Sequence, residues 1–423
     1  MAISSKTLEE LITGIREIFN SEDINVDLYM SLQNKVYTMF KTDMSWNAEE
    51  INASSRFVYM CRRIYAHVIE FLKDYVREKY HIDYTIRSDE EYLANYTEEV
   101  YKFKRNSKIL EGICAPVHFY WMNSVEKQLK KKPLNMYDIA LSIWDNGILH
   151  RSFPILNETI LNLITMDRSG DTIDKDLLRN GILSYTEQTQ GEKTQSDFTI
   201  SPYKKQFIKQ FLKKTMYFYT QLANDNITKY CLRDYVLFVR KRINEERDRM
   251  LALCLPVNWN LVEQVDEICE EALIAQKFEY LSKEFMQLLR SGNGKDAEVA
   301  YNFFKDFHYN SDAANIFKRC VNSEGYNAIR NCDVKNCGKK PACKYAEVVA
   351  EVLNKYNDFV MAHFPIDQDM VRALSNATKK FFNHNIFTVA KCKNPDLINF
   401  NEYRCSLEEC YELVYLEKVE NGE

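Results

Sequence analysis

The nearest approach to a chemical site is a group of cysteines, Cys332, Cys337 and Cys343 in the run NCDVKNCGKKPAC, with Cys320 upstream as a possible fourth thiolate. Thiolates at this density can hold zinc, but structural zinc prefers paired cysteines two to four residues apart, and these gaps are looser. A cysteine-bearing loop between two helices is the plainer reading, and no metal is expected. The seven histidines (His67, His81, His118, His150, His308, His363 and His384) form no ligand pair at i, i+4. No P-loop, GxGxxG, HExxH or GxSxG run occurs, so phosphate, dinucleotide, zinc-protease and hydrolase chemistry lack their usual signatures. No catalytic residue and no cofactor are expected. The basic run Lys130-Lys131-Lys132 reads as a solvated linker before Pro133.

Two helical segments instead carry more apolar surface than one core can use. At 100° per residue, DLYMSLQNKVYTMF puts Leu28, Leu32, Val36 and Met39 on one side and Tyr29, Met30, Gln33, Tyr37 and Phe40 on the adjoining side. The apolar arc covers roughly 200°, where packing on one core needs about 100°. Either this helix is buried between two others or half of the arc meets a partner. The segment SKILEGICAPVHFYWM likewise carries Ile109, Ile113, Val117, Tyr120 and Trp121, with Phe119 off the main stripe. Pro116 within it removes a backbone donor and should kink it.

The elements that must position these residues are helices. The 423 residues contain 11 Gly and 8 Pro, where average usage gives about 30 and about 21. Turn-rich sandwiches, propellers and doubly wound sheets need far more of both. The 24 Phe, 27 Tyr and 4 Trp exclude a disordered chain. Neither Gly nor Pro occurs between Gly14 and Gly112, or between Pro202 and Pro256. In the first stretch Val58, Cys61, Ile64, Tyr65, Val68, Leu72 and Tyr75 recur at helical steps. In the second, Phe207, Phe211, Met216, Phe218, Tyr219 and Leu222 do the same. Thr7 followed by Glu10 reads as a capping box. The fold class expected is all-α.

A net charge of −5 argues against a nucleic-acid partner. No apolar run approaches the ~18 residues needed to span a bilayer, and the amino-terminal segment is amphipathic, so no membrane is expected. Twelve cysteines spread over this length read as reduced thiols of a cytoplasmic or nuclear protein. Aromatic-rich helices around Tyr96, Tyr219 and Tyr356 recur roughly 120–140 residues apart, longer than two-helix solenoid units and enough for about five helices each. Three such units fill the chain as an elongated stalk.

The two apolar segments also carry a resemblance. LYMSLQNKVYTMF resembles the second helix of the cullins, with its Tyr-Met-x-Leu-Tyr-x-x-x-Tyr pattern. YTEEVYKFKRNSKILEGICAPVHFYW resembles their fifth helix, with Ser107, Lys108, Leu110, Gly112, Ile113, Cys114 and Trp121 in the family's places. The likeness continues through ALSIWDNGIL, MDRSGDTIDKDLLRNGILSY, RINEERDRM and NKYNDFVMAHF, over essentially the whole chain. It is nearest to the cullins of SCF ubiquitin ligases. It implies three five-helix repeats over residues 1–125, 126–255 and 256–410, with a tail at 411–423. It also implies a non-catalytic scaffold arm that binds a Skp-type BTB-fold adaptor carrying an F-box protein. The adaptor contacts it implies are Tyr29, Met30, Gln33 and Tyr37 on one helix, and Pro116, Phe119 and Tyr120 on the other, which tips the wide arc toward partner contact. Gln33 replaces a Tyr of the family pattern, Pro116 often a Tyr and Phe119 often an Arg, which points to a divergent adaptor. In the family the RING subunit is held by a carboxy-terminal domain beyond the residues present here. A short adaptor-sequestering decoy and an unrelated helical repeat protein are the alternatives.

Overall fold

A computed structural model describes residues 5–23, 25–44, 53–79, 88–118, 134–186, 202–331 and 341–383. Phe119, Tyr120, Trp121, Lys130–Lys132, Cys332, Cys337 and the side chains of Phe40 and Cys343 lie outside the described residues. Helix follows helix, and no strand occurs among the described residues. The expected all-α class holds. The chain divides into two compact units, 1–214 with 248–262, and 215–247 with 263–423.

The first unit contains Ser5–Asn20 (α1), Val26–Met44 (α2), Ala53–Lys79 (α3), Asp89–Ile113 (α4), Met136–Trp144 (α5), His150–Ser169 (α6) and Lys175–Thr186 (α7). Its centre is α4, which packs against α1, α2, α5, α6 and α7. The helix starts where Ser88 accepts a hydrogen bond from the Glu91 N–H. Asp89, Glu90 and Glu91 fill its first turn, where negative charge suits the helix dipole. Thr7 plays no such part, since α1 begins upstream of it at Ser5. The periodic residues of α3 that fall among the described side chains, Cys61, Ile64, Tyr65, Val68, Leu72 and Tyr75, are all buried. Phe19 meets Phe71, Tyr75 and Phe103 at ring separations of 5.4, 5.1 and 6.0 Å. Phe103 meets Trp144 at 4.7 Å.

Between α5 and α6 the helix passes through a π turn, Asp145–Leu149. Such a turn amounts to one extra residue in an α-helix. Gly147 within it lies so close to α3 that a Cβ there would stand 2.3 Å from Cγ1 of Val76. Pro154 follows inside α6, and its missing N–H leaves the His150 carbonyl without the usual helical donor.

Pro202–Asn226 (α8) and Leu232–Ala252 (α9) each contribute residues to both units. The second unit also holds Leu261–Leu273 (α10), Phe278–Ser291 (α11), Gly294–Asp306 (α12), Asn310–Asn331 (α13), Pro341–His363 (α14) and Gln368–Asn383 (α15). Helix α13 packs on α11, α12, α14 and α15. Of the periodic residues in α8, Phe207, Phe211 and Tyr219 are core. The aromatic landmarks Tyr96, Tyr219 and Tyr356 are all fully buried. Tyr219 donates to the buried Glu246 at 2.7 Å, and the Tyr356 hydroxyl lies 3.4 Å from Cys320 Sγ. That contact, with burial, makes Cys320 a core thiol. No cluster of His, Cys, Asp and Glu suited to a metal occurs among the described residues.

Asp367 ties α12 to the start of α15. Its carboxylate accepts from the Tyr301 hydroxyl at 2.6 Å, Lys305 Nζ at 2.9 Å, and the N–H groups of Asp369 and Met370 at 3.1 Å. Burial pushes the carboxyl up, but these donors outweigh it and hold it below the ordinary carboxylate range. A depressed folded-state value stabilises the fold above the unfolded value of about 3.9, and the contribution fades as pH falls through the folded one. Asp367→Asn should therefore cost about 1–3 kcal/mol at neutral pH. Melting curves of the two proteins should converge as the pH drops below about 4. A gap that persists undiminished at pH 2–3 would show that the ionised carboxylate is not what stabilises this corner.

Candidate functional site

Helix α2 is capped by Asn25, whose side-chain oxygen accepts from the Leu28 N–H at 2.9 Å. One face is core: Leu32, Val36 and Met39 are buried. A Cβ on Gly14 of α1 would lie 2.6 Å from a Leu32 methyl, so the two helices meet with nothing larger than hydrogen between them. Lys35 Nζ pairs with Glu10 of α1 at 2.8 Å; that hydrogen bond, with the Lys35 charge, lowers the Glu10 carboxyl.

The opposite face stands open. Met30 is 48% exposed and Tyr37 55%, and Val26, one turn before Met30, is 62% exposed. The wide apolar arc therefore splits into a core half and a solvent half. Sequence reasoning omitted Val26, although its place four residues before Met30 on the same face was signal enough.

Tyr29 and Gln33 lie on the border between these halves, both half-buried. The Tyr29 ring rests on Gly112 of α4, where an added Cβ would stand 2.7 Å from the hydroxyl. Gln33 Nε2 donates to the Gly112 carbonyl at 3.2 Å and lies 3.4 Å from the Tyr29 hydroxyl. The motif containing Gly112 is accordingly structural for the most part: Ser107, Leu110, Ile113 and Cys114 are buried. Burial pushes the thiols of Cys61 and Cys114 up to about 12, which leaves them protonated and poor nucleophiles.

A break in the helix stands two residues before Pro116. Helix α4 ends at Ile113, Cys114 forms a turn, and helix resumes over 115–118. Pro116 has no N–H to give the carbonyl four residues back, which is Gly112. Gln33 supplies that donor from another helix. Pro116 and Gln33 thus bear on one carbonyl. Beyond the kink, His118 Nδ1 lies 3.1 Å from the Tyr65 hydroxyl, tying the segment to α3. Pro116 is half-buried; the structural position of Phe119 and Tyr120 falls outside the described residues.

This bond can be weighed by a cycle. Gln33→Ala should cost about 0.5–1.5 kcal/mol. In a Pro116→Ala background, where residue 116 regains its N–H, the same change should cost clearly less. Equal costs in urea denaturation of both pairs would mean the carbonyl does not depend on Gln33.

Residues 8–400 match the Cullin alpha solenoid domain. The chain belongs to the cullin family. It is 23% identical over 401 residues to Cullin-1 of Dictyostelium discoideum, covering 92% of this chain and 51% of that protein. To Cullin-1 of Caenorhabditis elegans it is also 23% identical, with 90% and 50% covered. To Cell division control protein 53 of Saccharomyces cerevisiae it is 22% identical, with 86% and 46% covered. The chain thus spans about half the length of these cullins. Among its described residues, no helix is long and apolar enough to cross a membrane.

Proposed function

We propose that this cullin-family chain acts as a scaffold arm in an SCF-type ubiquitin ligase, holding a Skp-type adaptor and its F-box substrate receptor on α2 and the kinked end of α4. The observation that carries the reading is the exposed row Val26, Met30 and Tyr37 on a helix whose other face is core. Aromatic residues and Met are enriched at protein interfaces, and here they stand beside a Tyr29–Gln33–Gly112 seam that fixes the helix in place. The division into three repeats belongs to the same reading. The arm performs no bond-making step; it works by holding a receptor at a set place, so that proximity does the rest.

The test is competition. Added in excess to a ligase reconstituted on a full-length cullin, the chain should inhibit substrate ubiquitination by drawing off adaptor, and extra adaptor should relieve the inhibition. A conjugating enzyme is concentrated at a substrate only when one body holds both. Failure to capture any Skp-type adaptor, or efficient ubiquitination by this chain with a purified RING subunit, would overturn the proposal.

A further inference from the structure

Helix α8 carries charge of one sign. From Pro202 to Asn224 it has five lysines and no carboxylate. Two of the five are engaged: Lys204 Nζ stands 4.5 Å over the Trp259 ring, and Lys214 pairs with Glu158 of α6 at 2.6 Å. The other three, Lys205, Lys209 and Lys213, are exposed, and none has an ion-pair partner among the described residues. They recur at i, i+4 and i+8, which makes a row about 12 Å long on one side of the helix.

Helix α10 is the reverse, with five carboxylates and no cation. Asp266 is taken by Arg247 at 2.8 Å, and Glu270 is half-buried. Glu263, Glu267 and Glu271 are exposed at the same four-residue steps, again with no ion-pair partner among the described residues. The two rows thus match in number, spacing and length, with opposite sign. Rows of this spacing are ridges along which helices pack, and two of them line up when the helices cross at about −50°. Half-buried Leu212 borders the lysines and half-buried Ile268 the glutamates, so a contact between the rows also covers apolar surface. Lysines alone would suit any anionic surface. A matching unpaired row of glutamates on the same molecule favours one occupant, since every copy of the chain offers both.

We propose that the α8 lysine row docks on the α10 glutamate row of a second copy of this chain.

Exposed ion pairs are individually weak, so the test is sedimentation velocity of the full chain at rising concentration. In about 50 mM salt the chain should self-associate, and in about 0.5 M salt it should run as a monomer. K205E/K209E/K213E and E263K/E267K/E271K should each weaken self-association about tenfold or more, because like charges then face each other. Mixing the two variants should restore it, since one offers only glutamate rows and the other only lysine rows. Circular dichroism and melting temperature report whether each variant folds. Should a charge reversal unfold the chain, the corresponding triple change to Gln takes its place, with the same direction of effect and the same rescue by mixing. A chain that stays monomeric at low salt overturns the proposal. Self-association left undiminished by the folded variants, or a mixture that fails to recover it, does so too. So does a monomeric chain that the lysine row carries onto phosphatidylserine-rich vesicles, which would mark a lipid-facing surface instead.

Discussion

Tyr37→Ala is expected to weaken adaptor binding by about 1–3 kcal/mol, or about five- to 150-fold in affinity, while the melting temperature stays put. The separation follows from the ring's position: over half of it is already in water, so the folded monomer loses little when it goes. Tyr29→Ala is expected to behave differently. Its ring covers Gly112 and lies within reach of Gln33, so truncation should lower stability and affinity together. Replacing both tyrosines should abolish the competition described above. Calorimetric titration with a Skp-type adaptor, alongside thermal melts, separates the two effects. If Tyr37→Ala lowers the melting temperature and leaves affinity unchanged, the exposed row is not the docking face.

Gly147→Ala is expected to destabilise the first unit by about 1–3 kcal/mol. The new methyl would meet Val76 Cγ1, and that neighbour cannot swing aside, since Val76 is buried and a β-branched chain is stiff at χ1. Val76→Ala should rescue part of the loss. The double variant should be more stable than the sum of the single changes predicts, by about 1 kcal/mol. Strict additivity in denaturant titrations would mean the π turn and α3 yield to one another easily.

The fold was legible because helix burial is a local pattern. Scarce Gly and Pro left few places to turn, and the three- and four-residue steps in α3 named Cys61, Ile64, Tyr65, Val68, Leu72 and Tyr75, which are core. The kink at Pro116 was legible for the same reason, since a missing N–H is a property of one residue. What Gln33 does with the freed carbonyl was not legible, because its partner lies 79 residues away. Tyr29 fell in the solvent arc by angle alone, and only the small Gly112 opposite lets it sink into the seam. The π turn was hidden too, since nothing in DNGIL announces one.

The π turn also has a consequence for how the gene can change. Loss of any one codon within Asp145–Leu149 would convert the stretch to ordinary α-helix without breaking it. Every residue downstream in α6 would then rotate by about 100° relative to α5. Phe153 and Leu156, now buried, would swing from the core. A single in-frame deletion here should therefore be far less tolerated than a point substitution at Asn146. Survivors in a deletion library should carry a compensating insertion before Pro154, which restores the lost register.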